Sequence, residues 1–333
     1  MQANQQVKKR IPLFFRSMIF IAGSAFLNMP AMSQNYPNKP IKIIVPATAG
    51  GGADFIARTL SVQLGEYLGE SIVIENKSGA SGTIAAEYVS KSPPNGYLVL
   101  MAQSTSMVIA PHLYKSLNYD TIKDLQAVTQ VAQMPFILAV NAKLPVNNIK
   151  EFIAYAKANP GKLNFSTSGN GAGSHLAGEM FNSATGAKMV HVPYKGAGPA
   201  LNAVVAGEVE VAFIPIVAAL PLVKDGRLKA LAVTTSVRSM AAKDLPTLVE
   251  AGLAGYDINT WFGMFVPANT PAPIVDLLYK ETSRALKQPE IRERFLKEGA
   301  DPIGSTPAEF SALVKAEFVK FAKVVKDSGA KLE

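Results

Sequence analysis

Two stretches of this chain repeat one arrangement: a short apolar run, a glycine-rich turn, then an amphipathic segment. The first is IKIIVPATAGGGADFIARTL (residues 41–60) and the second LNFSTSGNGAGSHLAGEMF (residues 163–181). In each, the apolar run predicts a buried strand, and the i, i+3, i+4 spacing after the glycines predicts a helix. The first N–H groups of such a helix lack intrahelical partners, and its dipole adds positive potential at the same end. Each turn is therefore a ready site for an anion. Two of them predict an anion held between two halves.

Strands alternate with helices along the rest of the chain, which predicts an α/β protein with a largely parallel sheet. With 333 residues, 48% of them hydrophobic, two domains are favoured over one. A helix is expected from about Asp54 to Leu68, strands at residues 71–75 and 97–102, and a turn at Pro93-Pro94-Asn95-Gly96 between them. The apolar run at residues 136–140 predicts a crossing strand, and residues 228–234 predict the return. Beyond the first crossing, Asn148 and Glu151 have the spacing of a capping box, as do Thr306 and Glu309 with Pro307 at N1. The second α/β unit continues through a strand at 189–192, a helix at 199–206 and a strand at 209–215. Helices are expected near 274–287, 289–298 and 307–326. The domain division that follows is 34–138 with 233–333 as domain 1, and 139–232 as domain 2.

Residues 1–33 read as an export signal. Lys8, Lys9, Arg10 and Arg16 form a basic region, residues 18–27 an apolar core too short to span a bilayer, and Ala31-Met32-Ser33 a small-x-small cleavage pattern. The expected product begins at Gln34 and is released into a bacterial periplasm. The chain has no cysteine, which excludes disulfides, thiolate metal sites, cysteine nucleophiles and lipid attachment at the cleavage point. Removing four basic residues leaves 29 against 25 acidic, so the formal charge falls from +8 to +4. No dense basic run interleaved with aromatics follows Arg16, which argues against a nucleic-acid partner.

The turns fit no phosphate or dinucleotide pattern: residues 50–54 lack the G-x-G-x-x-G spacing, and no Gly-Lys-Ser or Gly-Lys-Thr follows residues 169–173. Three scattered histidines without H-E-x-x-H spacing give a zinc site no support, and no G-x-S-x-G elbow is present. Adjacent residues at a helix start point in different directions, so Ser174 and His175 cannot pair as nucleophile and base. No catalytic residue, metal or cofactor is expected. Asp54 is placed to accept hydrogen bonds from its own turn. His175 reads either as a ligand contact or as a residue that orients the second turn. Trp261, the one tryptophan, reads as core or as a wall against a ligand's carbon skeleton.

Taken in order, YPNKPIKIIVPATAGGGAD, PNGYLVL, NPGKLNFSTSGNGAGSHLAGEMF, HVPYKGAGPAL, GRLKALAVT, DLPTLVEAG and WFGMFVPANTP resemble the Bug family of solute receptors of tripartite tricarboxylate transporters. The resemblance spans nearly all of the chain after residue 33. It implies a type II periplasmic-binding-protein fold, in which two α/β domains joined by two crossing strands close on a small carboxylate in the cleft between them. It further implies a monomeric receptor that captures a di- or tricarboxylate or an aromatic acid and delivers it to a membrane permease. The turn matching residues 47–54 would grip a carboxylate through N–H groups, the turn matching 166–175 would hold the other side, and the strand end matching 103–106 would border the cleft. Where the family often has an acidic or amide residue, this chain has Ile214-Pro215-Ile216, which tilts the expectation toward ligands without an ammonium. The candidate ligand shell is Ala49, Gly50, Gly51, Gly52, Ser104, Ser166, Ser168, Gly171 and Ser174, with Asp54 and His175 as orienters and Trp261 and Phe262 as walls. An exported enzyme acting on a small carboxylate and a ligand sensor for a signalling partner are the alternative readings.

Overall fold

A computed structural model describes residues 36–330; the expected export signal and the cleavage before Gln34 lie outside the described residues. The first apolar run forms strand β1 (Ile41–Val45), which passes through the glycine turn into helix α1 (Gly52–Leu68). There follow β2 (Ile72–Asn76), α2 (Thr83–Ser90) and β3 (Leu98–Gln103), with β1 pairing in parallel with both β2 and β3. A π-helical turn (Thr105–Ile109) and the short α3 (Ala110–Leu113) lead to β4 (Leu125–Asn141).

The second unit comprises α4 (Ile149–Ala158), β5 (Asn164–Thr167), α5 (Gly173–Thr185), β6 (Val190–Pro193), α6 (Ala197–Ala206), β7 (Val211–Pro215), α7 (Ile216–Lys224) and β8 (Leu228–Val233). The chain then returns through β9 (Asn259–Pro267), α8 (Ala272–Leu286), α9 (Pro289–Lys297), β10 (Asp301–Pro302) and α10 (Pro307–Ser328). The main strand order is β2-β1-β3-β9-β4-β7-β5-β6, with β8 and β10 also paired to β4.

β4 is the long element that joins the halves. Its residues 125–135 run antiparallel to β9, and its residues 136–141 run antiparallel to β7 and β8. The apolar run at 136–140 is therefore only the end of a 17-residue strand. Gln126, Gln130 and Gln133 interrupt the earlier apolar pattern, yet the backbone there pairs with β9 on both sides of two bulges, at Val128 and Val131. The chain is thus a mixed α/β protein, as expected, but its sheet is not largely parallel: β4 and β9, which carry the chain out and back, pair antiparallel with every neighbour.

Local signals set the element ends. Thr306 and Glu309 form the expected reciprocal capping box at the start of α10, with Glu309 N–H donating to Thr306 Oγ1 at 3.2 Å and Thr306 N–H to Glu309 Oε2 at 2.8 Å. At α4, Asn148 Oδ1 accepts from Glu151 N–H at 2.9 Å, while the Glu151 carboxylate reaches back to Asn147 N–H at 2.7 Å. α1 begins two residues before the expected Asp54 and stops at Gly69, whose φ of +72° is the left-handed conformation that glycine adopts without a Cβ penalty. The interior between sheet and helices is filled by large side chains, among them Trp261, Phe265 and Phe310, whose rings pack together.

Candidate functional site

The Asp54 carboxylate builds the first glycine turn. It is buried and accepts from Gly50 N–H at 2.9 Å, Arg58 Nε at 2.9 Å and Asn76 Nδ2 at 2.9 Å. Asn76 Nδ2 also donates to Ala47 O at 3.0 Å, which ties the end of β2 to the same turn. Burial pushes the Asp54 pKa up, but the hydrogen bonds from Arg58, Gly50 and Asn76 outweigh it and hold the carboxyl below its ordinary value. Asp54 is thus occupied by the protein itself. No side chain caps α1 at Gly51, so the N–H groups of its first turn remain available.

That helix start opens on a cavity of about 350 Å³. Gly50, Gly52 and Phe55 line it from the turn and α1; Gln103 comes from the end of β3, and Thr260 and Phe262 from β9. Met134 and Phe136, on β4 where its pairing switches partners, form the floor. The far side is made by Pro215 and Val217 at the start of α7, with Glu298 exposed at the rim. A Cβ on Gly52 would stand 3.2 Å from the Phe262 ring and 3.9 Å from Met134 Sδ, so the glycine lets the helix start approach this wall closely.

The second turn is built differently. Ser174 Oγ accepts from Ser168 N–H at 3.1 Å and pairs with Ser168 Oγ at 3.0 Å, and His175 Nδ1 accepts from Gly171 N–H at 3.1 Å. The His175 ring lies flat on His191, with centroids 3.8 Å apart, and His191 stacks in turn on Phe165. Burial lowers the His175 pKa, and burial together with the His175 neighbour pushes His191 down to about 4. His191 also bonds Thr167 Oγ1 at 2.6 Å through Nε2. Both shifts favour the neutral form of the rings.

Of the residues expected in the ligand shell, Gly50, Gly52 and Phe262 line the cavity. Ala49 is exposed in the same turn, and a Cβ on Gly51 would meet that turn's own Thr48 O and Ala47. Ser104 is buried next to Gln103, its Oγ donating to Asn259 O at 3.4 Å. Ser166 points into the core, where its Oγ donates to Ala200 O at 3.0 Å. Ser168, Gly171, Ser174 and His175 are engaged with one another in the second turn, and Gly171 faces Leu113 of α3. Trp261 is fully buried and donates from Nε1 to Glu317 Oε2 at 2.5 Å, which turns it away from the cavity.

Strand parity explains that last pair of placements. Successive residues of β9 face opposite sides, so Thr260 and Phe262 share the cavity face and Trp261 takes the other. Phe55, Met134, Phe136, Thr260 and Val217 carried no sequence signal that separated a cavity wall from core. A further cavity of about 460 Å³ lies between α5, residues 254–256 and α10. It meets α5 in its C-terminal half, and its charged lining is Glu179 with a Lys323 already paired to Asp327, so neither the helix dipole nor a free cation favours an anion there. Among the described residues, no group of three or more His, Asp or Glu is placed to hold a metal ion, and no helix is long and apolar enough to cross a membrane.

Residues 56–330 match the family model described as tripartite tricarboxylate transporter family receptor. Among solved structures, the chain is similar to the periplasmic binding protein BugD, with 34% identity over 90% of this chain and 100% of that one, at a TM-score of 0.70. It is similar to Rpa4515 of R. palustris with adipate, at 35% identity, 89% and 100% coverage and a TM-score of 0.74. It is also similar to MatC of Rhodopseudomonas palustris with bound malate, at 33% identity, 87% and 100% coverage and a TM-score of 0.69.

Proposed function

The chain belongs to the tripartite tricarboxylate transporter receptor family, and from that membership we propose that it captures a small organic carboxylate in the periplasm and delivers it to the transporter's membrane permease. The observation that carries the reading is the start of α1, uncapped and opening on the cavity beside Gly50 and Gly52. N–H groups aligned there with the positive helix end can hold a carboxylate without a lysine or arginine in the lining. Relatives bound to adipate and to malate support the ligand class.

No bond to the ligand is made or broken in this role. Residues 34–138 with 233–333 and residues 139–232 act as two domains that close on the acid, and closure is stabilised only as far as the ligand binds the closed state better than the open one. A monomer suffices for that cycle. Calorimetry with a panel of carboxylates, followed by denaturation and recovery of the bound acid, tests the reading. Saturable binding and unchanged ligand are expected, and conversion of the acid would make the protein an enzyme. Protein recovered from the periplasm is expected to have an intact mass that starts at Gln34; a full-length membrane-bound product would contradict the export step. Loss of carboxylate uptake on deletion of the receptor, restored by the receptor and not by the Gly52→Val variant, checks the delivery step.

A further inference from the structure

We infer that the cavity selects a monocarboxylate with an apolar tail, and that Phe136 enforces this by shielding the second helix start from the ligand. The inference rests on the receptor reading above and narrows its substrate class. The polar capacity of the cavity is gathered at one end. Gln103 and Thr260 are cross-strand partners of Phe262 and Met134, the two side chains nearest Gly52, so they stand beside the α1 helix start. One carboxylate is served there.

The opposite end offers it no equal. α5 also begins with an uncapped glycine, Gly173, but a Cβ on that residue would lie 2.9 Å from the Phe136 ring. Phe136 lines the cavity and no residue from 166 to 175 does, so the ring stands between the α5 N–H groups and the ligand. The remaining helix start at this end, α7, shares the cavity rim with the Glu298 carboxylate, and Gly299 packs directly on Ile216 and Val217. A second carboxylate would therefore meet an aromatic ring, Pro215 and a like charge. Leaving an ionised group unpaired in such surroundings is strongly unfavourable, whereas a hydrocarbon tail gains by covering the same surfaces.

Calorimetry on the full mature chain with two matched pairs, hexanoate against adipate and benzoate against terephthalate, tests this. The monoacid is expected to bind about tenfold or more tightly than its diacid. In Phe136→Ala, which uncovers the α5 start, that preference is expected to shrink to a few-fold or reverse. Because Phe136 is a core residue, Phe136→Leu and the exposed Glu298→Gln are measured beside it, with thermal melting to confirm folding; both are expected to move the ratio the same way. Diacid binding equal to or tighter than monoacid in the wild type overturns the inference and leaves the receptor reading intact. An unchanged ratio in all three folded variants also overturns it. Silence of all four acids, and of hydroxylated and tricarboxylic acids alongside them, removes the carboxylate reading itself.

Discussion

Asp54 shows how one buried side chain can shape a binding turn without touching what is bound. Its three partners position Gly50, Asn76 and Arg58 around the start of α1. Replacing it with alanine frees donors that are partly exposed and can turn to water, so the stability lost is expected to be on the order of 1 kcal/mol by denaturant melting. Binding should weaken as well, since Gly50 loses its anchor. The neighbouring glycines separate the turn from the site: an alanine Cβ at Gly51 presses on Thr48 O at 3.2 Å, and one at Gly52 presses on the Phe262 wall. Gly51→Ala is expected to lower the melting temperature with little change in affinity, whereas Gly52→Ala, crowding the buried Phe262 wall of the cavity, is expected to lose affinity by about tenfold besides any loss of stability. The same effect from both would mean that the cavity does not discriminate between these positions. The histidine stack gives a pH dependence at this scale. An unfolded histidine takes up its proton near pH 6.5, whereas His191 holds it off until about 4 and His175 is also lowered. The unfolded state therefore binds more protons in that window, and stability is present above pH 6.5 and lost as pH falls toward 4. His112 acts in the same direction, and the raised carboxyls of Glu179 and Asp301 act against it. In His191→Phe the drop in melting temperature between pH 7 and pH 4.5 is expected to be smaller than in the wild type; an equal drop would show that His191 titrates as a free imidazole.

At the scale of elements, what could be read in advance was whatever depends on neighbours in sequence. The Thr306–Glu309 capping box, the Asn148 cap of α4 and both strand-to-helix glycine turns stand where the residues announce them, because caps and turns are satisfied within four or five positions. At α4, though, the Glu151 carboxylate closes on Asn147 N–H, one residue before the cap. Only the end of β4, the crossing expected at residues 136–140, showed itself; its first eleven residues and α7 did not. In β4 the glutamines and two bulges break the apolar alternation although the strand stays in the sheet from end to end, and α7 contains Pro221, which ordinarily argues against a helix interior. The site divides the same way: the glycines were legible, whereas Phe55, Met134 and Phe136 became walls only through pairing and packing distant in sequence. The Phe165, His191 and His175 stack likewise joins β5, β6 and α5. Gly178 holds α5 against that stack, since a Cβ there would overlap the Phe165 ring. Gly178→Ala is expected to cost about 1–3 kcal/mol in denaturant melting, and a neutral result would mean that α5 can slide on β5 without loss.

For the molecule as a whole, the two routes between the halves meet at Thr234. Its hydroxyl accepts from Phe136 N–H at 3.0 Å on β4 and donates to Ile258 O at 2.6 Å on the returning chain. Its backbone completes both links, donating from N to Phe136 O and accepting at O from Ile258 N–H, each at 3.0 Å. One buried residue thus fastens the first crossing to the second, at the backbone of the same Phe136 whose ring lines the cavity. Thr234→Val keeps the volume and the backbone bonds but leaves a buried N–H and a buried carbonyl each short of a partner, at an expected cost of about 1–3 kcal/mol. The wild type is expected to contract in small-angle scattering when the acid saturates it, because contacts from both halves favour the closed state. If the ligand drives that closure, folded Thr234→Val still contracts, with a change in affinity that reflects only its altered balance of open and closed forms. Contraction lost in the variant while binding persists would instead assign the angle between the halves to the Thr234 clamp. No contraction of the wild type at saturation would mean that the acid enters a cleft already closed, and the two crossings would then serve as a brace.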